Sequence, residues 1–361
     1  MKSRGSTKMT LQSSGQITLG DIANEFGYTN GSSTRLGSYR TTNGQGNYPL
    51  SLGSLSYSSI DGGGAVPTSG QIKLSDFRGT QLQTVVNFYG SGKGGTRLNA
   101  YSRYNAGDVT VVGGYRTRPS NTSGTRVKIH VNQNIGSEKN SINHCALRTG
   151  NGWNSGTTLS VDVGSNGRIQ GAGGDGGAGS VNNGSGSPGG NGSSGLGVEY
   201  TETAVNIASG GLIAAGFGGG GGGAGGEQTD KPGTRYAAGG GGGGGAGFPV
   251  GEGGAGGITN AGNGSGPGSS GSDASLSGGT QGSGTSGEGG SGGNNANEAG
   301  GAPGGEGGQA GNSADNGGNG DGTGGSGGAD GSAIRRTNGN IVVDINDGGR
   351  VVPNAVANGV A

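Results

Sequence analysis

Acid–base or nucleophilic chemistry needs histidine, cysteine or paired carboxylates, and this sequence offers few candidates. It contains two histidines, His130 and His144, and one cysteine, Cys145. Adjacent side chains of a strand point to opposite faces, so His144 and Cys145 cannot form a catalytic pair. A zinc site needs more cysteine and histidine ligands than these. No spacing of acidic residues singles out the carboxylate pair of a glycosidase. We therefore expect no enzyme activity, no metal and no cofactor.

Two segments instead carry residues suited to binding another molecule. The segment EQTDKPGTRYAAG (227–239) interrupts two glycine runs, and Lys-Pro-Gly is typical of a turn. It brings together Lys231, Arg235 and Tyr236, and aromatic and arginine side chains are enriched at binding hot spots. The second segment is GVEYTETA (197–204), with Glu199 and Tyr200. These five residues are the predicted receptor contacts.

The elements that must position these residues are rich in glycine. Glycine accounts for 100 of the 361 residues, and hydrophobic residues make up only 26%. Stretches such as GAGGDGGAG (171–179) keep glycine in a three-residue phase. A polyglycine-II helix has three residues per turn, and packed helices of this kind pair their backbone groups with neighbours. We predict a bundle of such helices over residues 171–334. Disorder is the alternative, because glycine loses the most freedom on folding.

The aromatic residues of this region have a second possible role. Tyr236, Phe217 and Phe248 border glycine runs that hold almost no other apolar side chains. In this alternative they cap the ends of the bundle instead of contacting a receptor. Capping predicts that Tyr236→Ala lowers the melting temperature, whereas contact predicts a folded variant with less adsorption.

An internal echo marks an N-terminal module over residues 1–80. SSGQITLGDI (13–22) and TSGQIKLSDF (68–77) share SGQI, a leucine and an aspartate at the same spacing, and DIANEF favours a helical turn. Their apolar residues alternate with polar ones, which predicts two short half-buried strands that pack together. We assign attachment to a partner to the apolar residues of these strands, Ile17, Leu19, Ile72 and Leu74.

Strand patterns dominate the rest of the chain. Residues 81–170 alternate in the manner of an antiparallel sandwich-like module, and residues 335–361 form a C-terminal β segment. A second repeat reads VDVGSNGRIQG (161–171), VNIASGGLIAAG (205–216) and VDINDGGRVVP (343–353). Its NG and GG dipeptides predict tight hairpins that bound the glycine tracts. The predicted fold is mainly β with polyglycine II: a small N-terminal α+β module, the antiparallel module and the bundle.

Charge and hydropathy exclude two classes of partner. Lys plus Arg and Asp plus Glu both number 22, so no strong field favours nucleic acid. The longest apolar runs have four or five residues, so we expect no membrane insertion. The chain resembles instead a known group of proteins in which glycine-rich tracts follow an N-terminal attachment module.

That group is the glycine-rich tail-fibre and receptor-binding adhesins of tailed bacteriophages. The resemblance covers residues 149–179 and 210–226, and the echo segments MTLQSSGQITLGDIANEFG (9–27) and SGQIKLSDFRG (69–79). It implies a structural protein of the virion tail, made in the host cytoplasm, whose loops between polyglycine-II helices carry host specificity. The implied partners are other tail or fibre proteins and a host envelope polysaccharide or outer-membrane protein; a homo-oligomer stays open.

The sequence departs from that group in one respect. Residues 249–361 contain no Phe, Trp or Tyr, which favours the loops at 195–204 and 227–238 as the receptor surface. A purely architectural tail protein without receptor contact is the alternative. An ice-binding polyglycine-II protein is less favoured, because the middle triplet residues vary and form no regular Thr or Ala ladder.

Overall fold

A computed structural model describes most of the chain: residues 11–25, 36–37, 50–52, 55–57, 60–61, 67, 69–79, 81–89, 94–107, 109–112, 125–139, 141–230, 233–260, 266–277, 283–293, 300–347, 350–352 and 356–360. Two α-helices occur there, α1 (Leu19–Glu25) and α2 (Ala100–Asn105), with a 3-10 helix at Leu74–Phe77. No helix in these residues has the length and apolar character to cross a membrane. The protein is mainly β.

In chain order the strands are β1 (Leu50–Leu52), β2 (Leu55–Tyr57), β3 (Ile60–Asp61), β4 (Gln81–Tyr89), β5 (Leu98–Asn99), β6 (Thr110–Val112), β7 (Arg126–Asn132), β8 (Asn134–Gly136), β9 (Cys145–Arg148), β10 (Thr158–Val163), β11 (Arg168–Gln170), β12 (Ser194–Val198), β13 (Thr203–Ile207), β14 (Leu212–Ala214), β15 (Gly226–Asp230), β16 (Gly233–Ala237), β17 (Ile334–Arg336), β18 (Val343–Asp347), β19 (Arg350–Val352) and β20 (Val356–Asn358).

Three sheets, mostly of parallel strands, form the walls of a solenoid, and each successive rung adds one strand to every sheet. The orders are β18-β13-β10-β7-β4-β3 in the first sheet, β19-β14-β11-β8 in the second and β20-β17-β12-β9-β5 in the third. Each rung crosses all three sheets: β7-β8-β9, then β10-β11-β12, then β13-β14-β17, then β18-β19-β20. Among the described strands of these three sheets, only β3 and β6 pair antiparallel, both with β4 toward one edge of the first sheet. Each rung therefore covers its predecessor.

The three sheets enclose one apolar core. Ile129 of the first sheet, Ile169 of the second and Leu196 of the third are all fully buried in the same cluster. Residues Val127, Ile129 and Val131 of β7 alternate into this core, so Lys128 and His130 lie on the opposite face of the strand, where His130 is also buried. This alternation is the pattern that identified the strands in the sequence.

The predicted antiparallel module and hairpins are wrong in their pairing. The repeat at 161–171 forms β10 and β11, which belong to different sheets and turn a corner of the solenoid instead of forming a hairpin. The repeats stack on one another in parallel register, with Val161 opposite Val205 and Arg168 opposite Leu212. Strand alternation reveals which face is buried, but the direction of pairing depends on contacts between residues far apart in the sequence.

The glycine tracts leave the solenoid between its second and third sheets. They form ten extended segments, numbered here as 1 (171–180), 2 (184–193), 3 (215–225), 4 (237–247), 5 (249–258), 6 (266–275), 7 (284–293), 8 (300–309), 9 (312–320) and 10 (322–333). Neighbouring segments are joined by backbone N–H···O hydrogen bonds at about every third residue. Segments 1 and 3 show this with N···O distances of 2.8–3.1 Å, from donors Gly174, Gly177 and Ser180 to acceptors Phe217, Gly220 and Gly223.

Segments 3 and 4 are the centre of this glycine bundle. Segment 3 donates to segments 2, 4 and 9 and accepts from 1, 8 and 10; segment 4 donates to 1, 6 and 8 and accepts from 3, 5 and 7. Six neighbours each imply three layers: segments 2, 1 and 5, then 10, 3, 4 and 6, then 9, 8 and 7. A segment enclosed on every side has no room for side chains, which explains the uninterrupted runs at 218–223 and 239–245.

Outer segments keep one side chain per triplet, and it faces solvent. Glu252, Ala255 and Ile258 of segment 5 are all exposed and lie three residues apart. Polar side chains on the outer segments also accept from amides that lack a backbone partner on that side. The Asp175 carboxylate accepts a hydrogen bond from Glu252 N at 2.8 Å. In the same way the Ser272 hydroxyl accepts from Glu288 N at 2.8 Å, and the Asn191 side-chain oxygen accepts from Ala329 N at 2.9 Å. The Ser, Asn and Asp content of the tracts therefore has a structural role.

The N-terminal echo forms helix starts where strands were predicted. Helix α1 begins at Leu19, and the 3-10 helix begins at the equivalent Leu74. The predicted strand assignment is wrong because the aspartate of each copy accepts from the backbone N–H three residues earlier, which caps a helix. The two copies do contact each other: Arg78 Nη2 donates to Gly15 O at 2.8 Å.

Candidate functional site

The end of the glycine bundle remote from the solenoid gathers the connections between its segments. Segment 1 follows β11 and segment 2 leads into β12, so residues 181–183 between them lie at the far end. The same reasoning places the hairpin β15–β16 and residue 321 there. The ends of segments 5 and 7 point the same way, although residues 261–265 and 294–299 lie outside the described residues. Ten extended residues place this distal end about 30 Å from the solenoid.

The predicted contact loop at 227–238 is an antiparallel hairpin at the distal end. Strands β15 and β16 pair with Gln228 opposite Arg235 and Glu227 opposite Tyr236. Arg235 and Tyr236 are both half-buried and, as adjacent strand residues, point to opposite faces of the hairpin. The predicted Lys231 lies outside the described residues.

Three connections meet in one hydrogen-bonded group at the distal end. The Asn183 Nδ2 donates to the Glu227 carboxylate, and the Glu227 backbone N–H donates to the Asp321 carboxylate. Tyr236 O accepts from Gly266 N at 3.3 Å, which ties the hairpin to segment 6. The hairpin is therefore fixed to its neighbours on two sides.

Two exposed aliphatic side chains complete the distal end. Val181 is 48% exposed and Ile258 is 56% exposed. The loops that carry them are joined, since Asn182 N donates to Ile258 O at 3.0 Å and Asn260 N to Asn182 Oδ1 at 2.8 Å. The sequence analysis missed this pair. The signal was the triplet phase, because Val181 follows the exposed Ala178 by three residues and Ile258 likewise continues the outward series of segment 5.

The second predicted loop, 197–204, lies elsewhere, beginning in β12 of the solenoid, and the side chains of Glu199 and Tyr200 both have partners within the chain. The Glu199 side chain is only 5% exposed and pairs with the Arg148 guanidinium. Its carboxylate also accepts from Gly150 N at 2.9 Å. The hydrogen bond to Glu199 raises the pKa of Arg148, against the effect of burial. Tyr200 donates through its hydroxyl to Asn154 O at 3.0 Å and packs against the core. Both residues thus have partners within the chain, and their role as receptor contacts stays a prediction.

We expect Glu199→Ala to destabilise the solenoid, because it leaves the Arg148 charge without its partner. Breaking a buried pair costs about 3–5 kcal/mol, and the 27% exposure of Arg148 reduces this to about 2 kcal/mol. Denaturant unfolding measures the loss. Glu306→Ala is the matched control, since Glu306 is exposed on segment 8, and it should leave the unfolding midpoint unchanged. Equal midpoints for both variants would contradict the structural role of Glu199.

Two of the three aromatic residues of the capping alternative lie at the base of the bundle. Phe217 is 2% exposed in a cluster with Leu212, Ala214 and Val352 of the second sheet. Phe248 lies against the backbone of β8, where a Cβ added to Gly136 would meet the Phe248 carbonyl oxygen at 2.1 Å. Tyr236 alone of the three is at the distal end. Phe217 therefore covers the base of the bundle and packs it against the second sheet of the solenoid.

The residues considered for catalysis lie on or beside strands of the solenoid: His130 on β7, Cys145 on β9, and His144 directly before β9. Burial raises the pKa of the Cys145 thiol to about 12 and lowers the pKa of His130 to about 4. His144 lies 3.8 Å from the Glu138 carboxylate. Across the described ranges, no three His, Cys, Asp or Glu side chains group as metal ligands.

Comparison with known proteins gives one structural match. No protein-family model matches the chain, and no curated protein matches it. The chain is similar to a solved structure titled "Crystal structure of the gp37-gp38 adhesin tip complex of the bacteriophage S16 long tail fiber", with 18% sequence identity and a TM-score of 0.38. The alignment covers 82% of this chain and 90% of the other.

Proposed function

We propose that this protein is a structural component of a phage tail fibre or tail tip that binds the host cell-surface receptor during adsorption. The observation that carries the proposal is the distal end of the glycine bundle, where three connections form one bonded group beside exposed aliphatic residues. Loops on a rigid scaffold are a common place for recognition. The sequence resemblance to phage adhesins supplies the biological setting, and the protein would reside in the virion tail.

The scaffold for this surface is proposed to be a set of polyglycine-II helices. The three-residue spacing of the hydrogen bonds supports this assignment, since it equals the repeat of that helix. The glycines of segments 1 to 5 all have φ outside the left-handed region. Between residues 171 and 257, only Gly210 and Gly233 have such a φ, and both lie in turns between strands. The role of the segment glycines is the missing Cβ, which lets neighbouring backbones approach.

We propose that the activity is binding and that the protein is not an enzyme. The raised pKa of Cys145 supports this, because a thiol is a weak nucleophile until it loses its proton. The fully buried His130 likewise lies away from the distal end. The proposed partners are other tail or fibre proteins at the N-terminal module and a component of the host envelope at the distal end.

Adsorption to cells tests the receptor role. We expect Arg235→Ala combined with Tyr236→Ala to keep the melting temperature of the parent and to reduce binding to susceptible cells at least tenfold. Removing hot-spot residues of these types commonly costs about 2 kcal/mol or more. The measurement is binding of purified, labelled protein to susceptible and resistant host cells.

The matched control lies at the opposite end of the bundle. Asn312→Ala combined with Ser313→Ala changes two exposed residues at the base end of segment 9 and should leave adsorption unchanged. A hairpin variant that folds and adsorbs like the parent would remove the hairpin from the receptor site. Equal binding of the parent to susceptible and resistant cells would favour the second candidate, an architectural protein without receptor contact.

A further inference from the structure

Asparagine followed directly by glycine is a chemically reactive dipeptide, because glycine has no side chain to keep its amide nitrogen away from the asparagine Cγ. Attack by that nitrogen requires the glycine N–H to lose its proton. An N–H that is hydrogen-bonded inside a folded protein is protected from this loss until the region opens locally. The structure therefore decides which Asn-Gly dipeptides of this chain can react.

Most of the described Asn-Gly dipeptides are protected by a backbone hydrogen bond. Their glycine N–H donates to a backbone carbonyl oxygen at 2.8–3.2 Å, and they begin at Asn166, Asn183, Asn191, Asn316, Asn319 and Asn358. Asn316 is exposed, yet Gly317 N donates to Gly325 O at 2.8 Å. The Asn316 Oδ1 also accepts from Gly327 N at 2.9 Å. Both groups that would react are thus held to the neighbouring glycine segment.

Two dipeptides lack this protection, and their surroundings differ. Within the described part of the chain, neither Gly152 N nor Gly339 N donates a hydrogen bond. Gly152 lies against the ring of Tyr101, which an added Cβ would approach to 2.1 Å, so its movement is restricted. An added Cβ at Gly339 would meet no atom within 4 Å, and both Gly339 and the preceding Asn338 are exposed. Asn338 is therefore followed by an amide nitrogen that is unbonded and has room to move.

The side chain of Asn338 is held in a conformation that favours attack. Its Oδ1 accepts a hydrogen bond from Asn340 N at 2.9 Å, which closes an Asx turn around Gly339. A donor at this oxygen draws electron density from Cγ and stabilises the negative charge that develops on Oδ1 when a nucleophile adds to Cγ. The same turn keeps the side chain beside the Gly339 backbone, so the two reacting groups start close together.

We propose that Asn338 is a site of spontaneous covalent modification, which converts it to aspartate and isoaspartate in the folded protein. Hydroxide removes the Gly339 amide proton, and the nitrogen attacks the Asn338 Cγ. A bond forms between these two atoms, the Cγ–Nδ2 bond breaks, and ammonia leaves with a proton taken from water. Water then opens the cyclic imide at either carbonyl. One product is aspartate, and the other is isoaspartate, in which the former side chain becomes part of the main chain.

The position of Asn338 gives the modification a structural consequence. Its turn joins β17 to β18, where the chain passes from the third rung to the fourth, and Ile341 N donates to Asn338 O at 3.3 Å. Both products add a negative charge to this turn, and isoaspartate also lengthens its main chain. The distal end of the bundle is not involved, so the inference stands apart from the proposed function.

Peptide mass spectrometry of the aged protein tests the site. The purified full chain is incubated in mildly alkaline buffer and then digested at mildly acidic pH, which slows further reaction. We expect Asn338 to be modified at least about tenfold faster than Asn316, because reaction at Asn316 first requires the opening of hydrogen bonds. In urea the two rates should converge, since only the shared dipeptide remains. A rate at Asn338 no higher than that at Asn316 in the folded protein, or a difference that persists in urea, would overturn the inference.

The variant Gly339→Ala tests the attacking atom. Its methyl group hinders the approach of the nitrogen to Asn338 but meets no atom within 4 Å. Modification at position 338 should therefore slow several-fold while the melting temperature stays that of the parent. Ala255→Val is the control, because it changes an exposed residue of the bundle, and it should leave the rate at Asn338 unchanged. A Gly339→Ala chain that is modified at position 338 as fast as the parent would contradict attack by Gly339 N.

Discussion

Replacing Gly174 and Gly177 by valine is expected to unfold the glycine bundle. A Cβ at Gly174 would lie 1.9 Å from the Gly190 carbonyl oxygen, and a Cβ at Gly177 would lie 2.1 Å from that of Ser187. Both obstacles are backbone atoms held by hydrogen bonds, so the clash cannot be relieved by turning a side chain. We expect the double variant to lose more than about 4 kcal/mol of stability and to become sensitive to protease.

Two controls separate the close approach of backbones from a general intolerance of larger residues. Ala255→Val adds the same kind of side chain to an outward position of segment 5, where it is exposed. Gly339→Ala adds a Cβ at a glycine with no atom within 4 Å. Both controls should keep the parent's protease resistance and melting temperature. A Gly174/Gly177 double variant as resistant as these controls would contradict the packed bundle.

Acidification from pH 7 to pH 4 is expected to destabilise the solenoid through His130. This histidine is fully buried, and burial lowers its pKa from 6.5 to about 4, although the nearby Asp162 opposes the shift. The unfolded chain therefore takes up a proton below pH 6.5 that the folded chain does not accept until about pH 4. Stability from this residue falls across that window by about 3 kcal/mol and is unaffected above pH 7.

The measurement is denaturant unfolding of the parent and of His130→Gln at several pH values. The difference in unfolding free energy between the two should shift in favour of the variant by about 3 kcal/mol between pH 7.5 and pH 4. Val131→Ala is the control, because it removes core volume on the same strand without removing a titrating group. Its profile should run parallel to that of the parent. Parallel profiles for His130→Gln and the parent would contradict the predicted titration.

Individual elements of the fold could be anticipated because their causes are local. The DIANE segment predicted a helical turn, which is α1. The alternation of valine and isoleucine predicted strands such as β7 and β10. The three-residue glycine phase is a local feature too, and within it Gly174 and Gly177 lie against neighbouring backbones that leave no room for a Cβ. Each of these features depends on residues within one or two turns of the chain.

The predicted sites fared differently because exposure depends on what packs beside a residue. Glu199 lies in a polar segment that resembles a contact loop. Its carboxylate nevertheless pairs with the guanidinium of Arg148, which is 51 positions away in the sequence. Leu19 was assigned to a half-buried strand, yet the capping aspartate two residues later starts a helix there, and Leu19 is 52% exposed. Val181 and Ile258 drew no attention individually and form a pair only through the contact between segments 1 and 5.

The sequence by itself determined where glycine must stand, which residues alternate into a core and which echo recurs at the N-terminus. Those properties follow from steric limits and periodicity that act within a short stretch of chain. The tertiary structure alone decided that the strands pair in parallel as rungs and that ten glycine segments pack in three layers around two central ones. It also decided that separate connections meet at one distal end. These features depend on hydrogen bonds between residues tens to more than a hundred positions apart, and neither the partner nor the direction of such a bond is encoded locally.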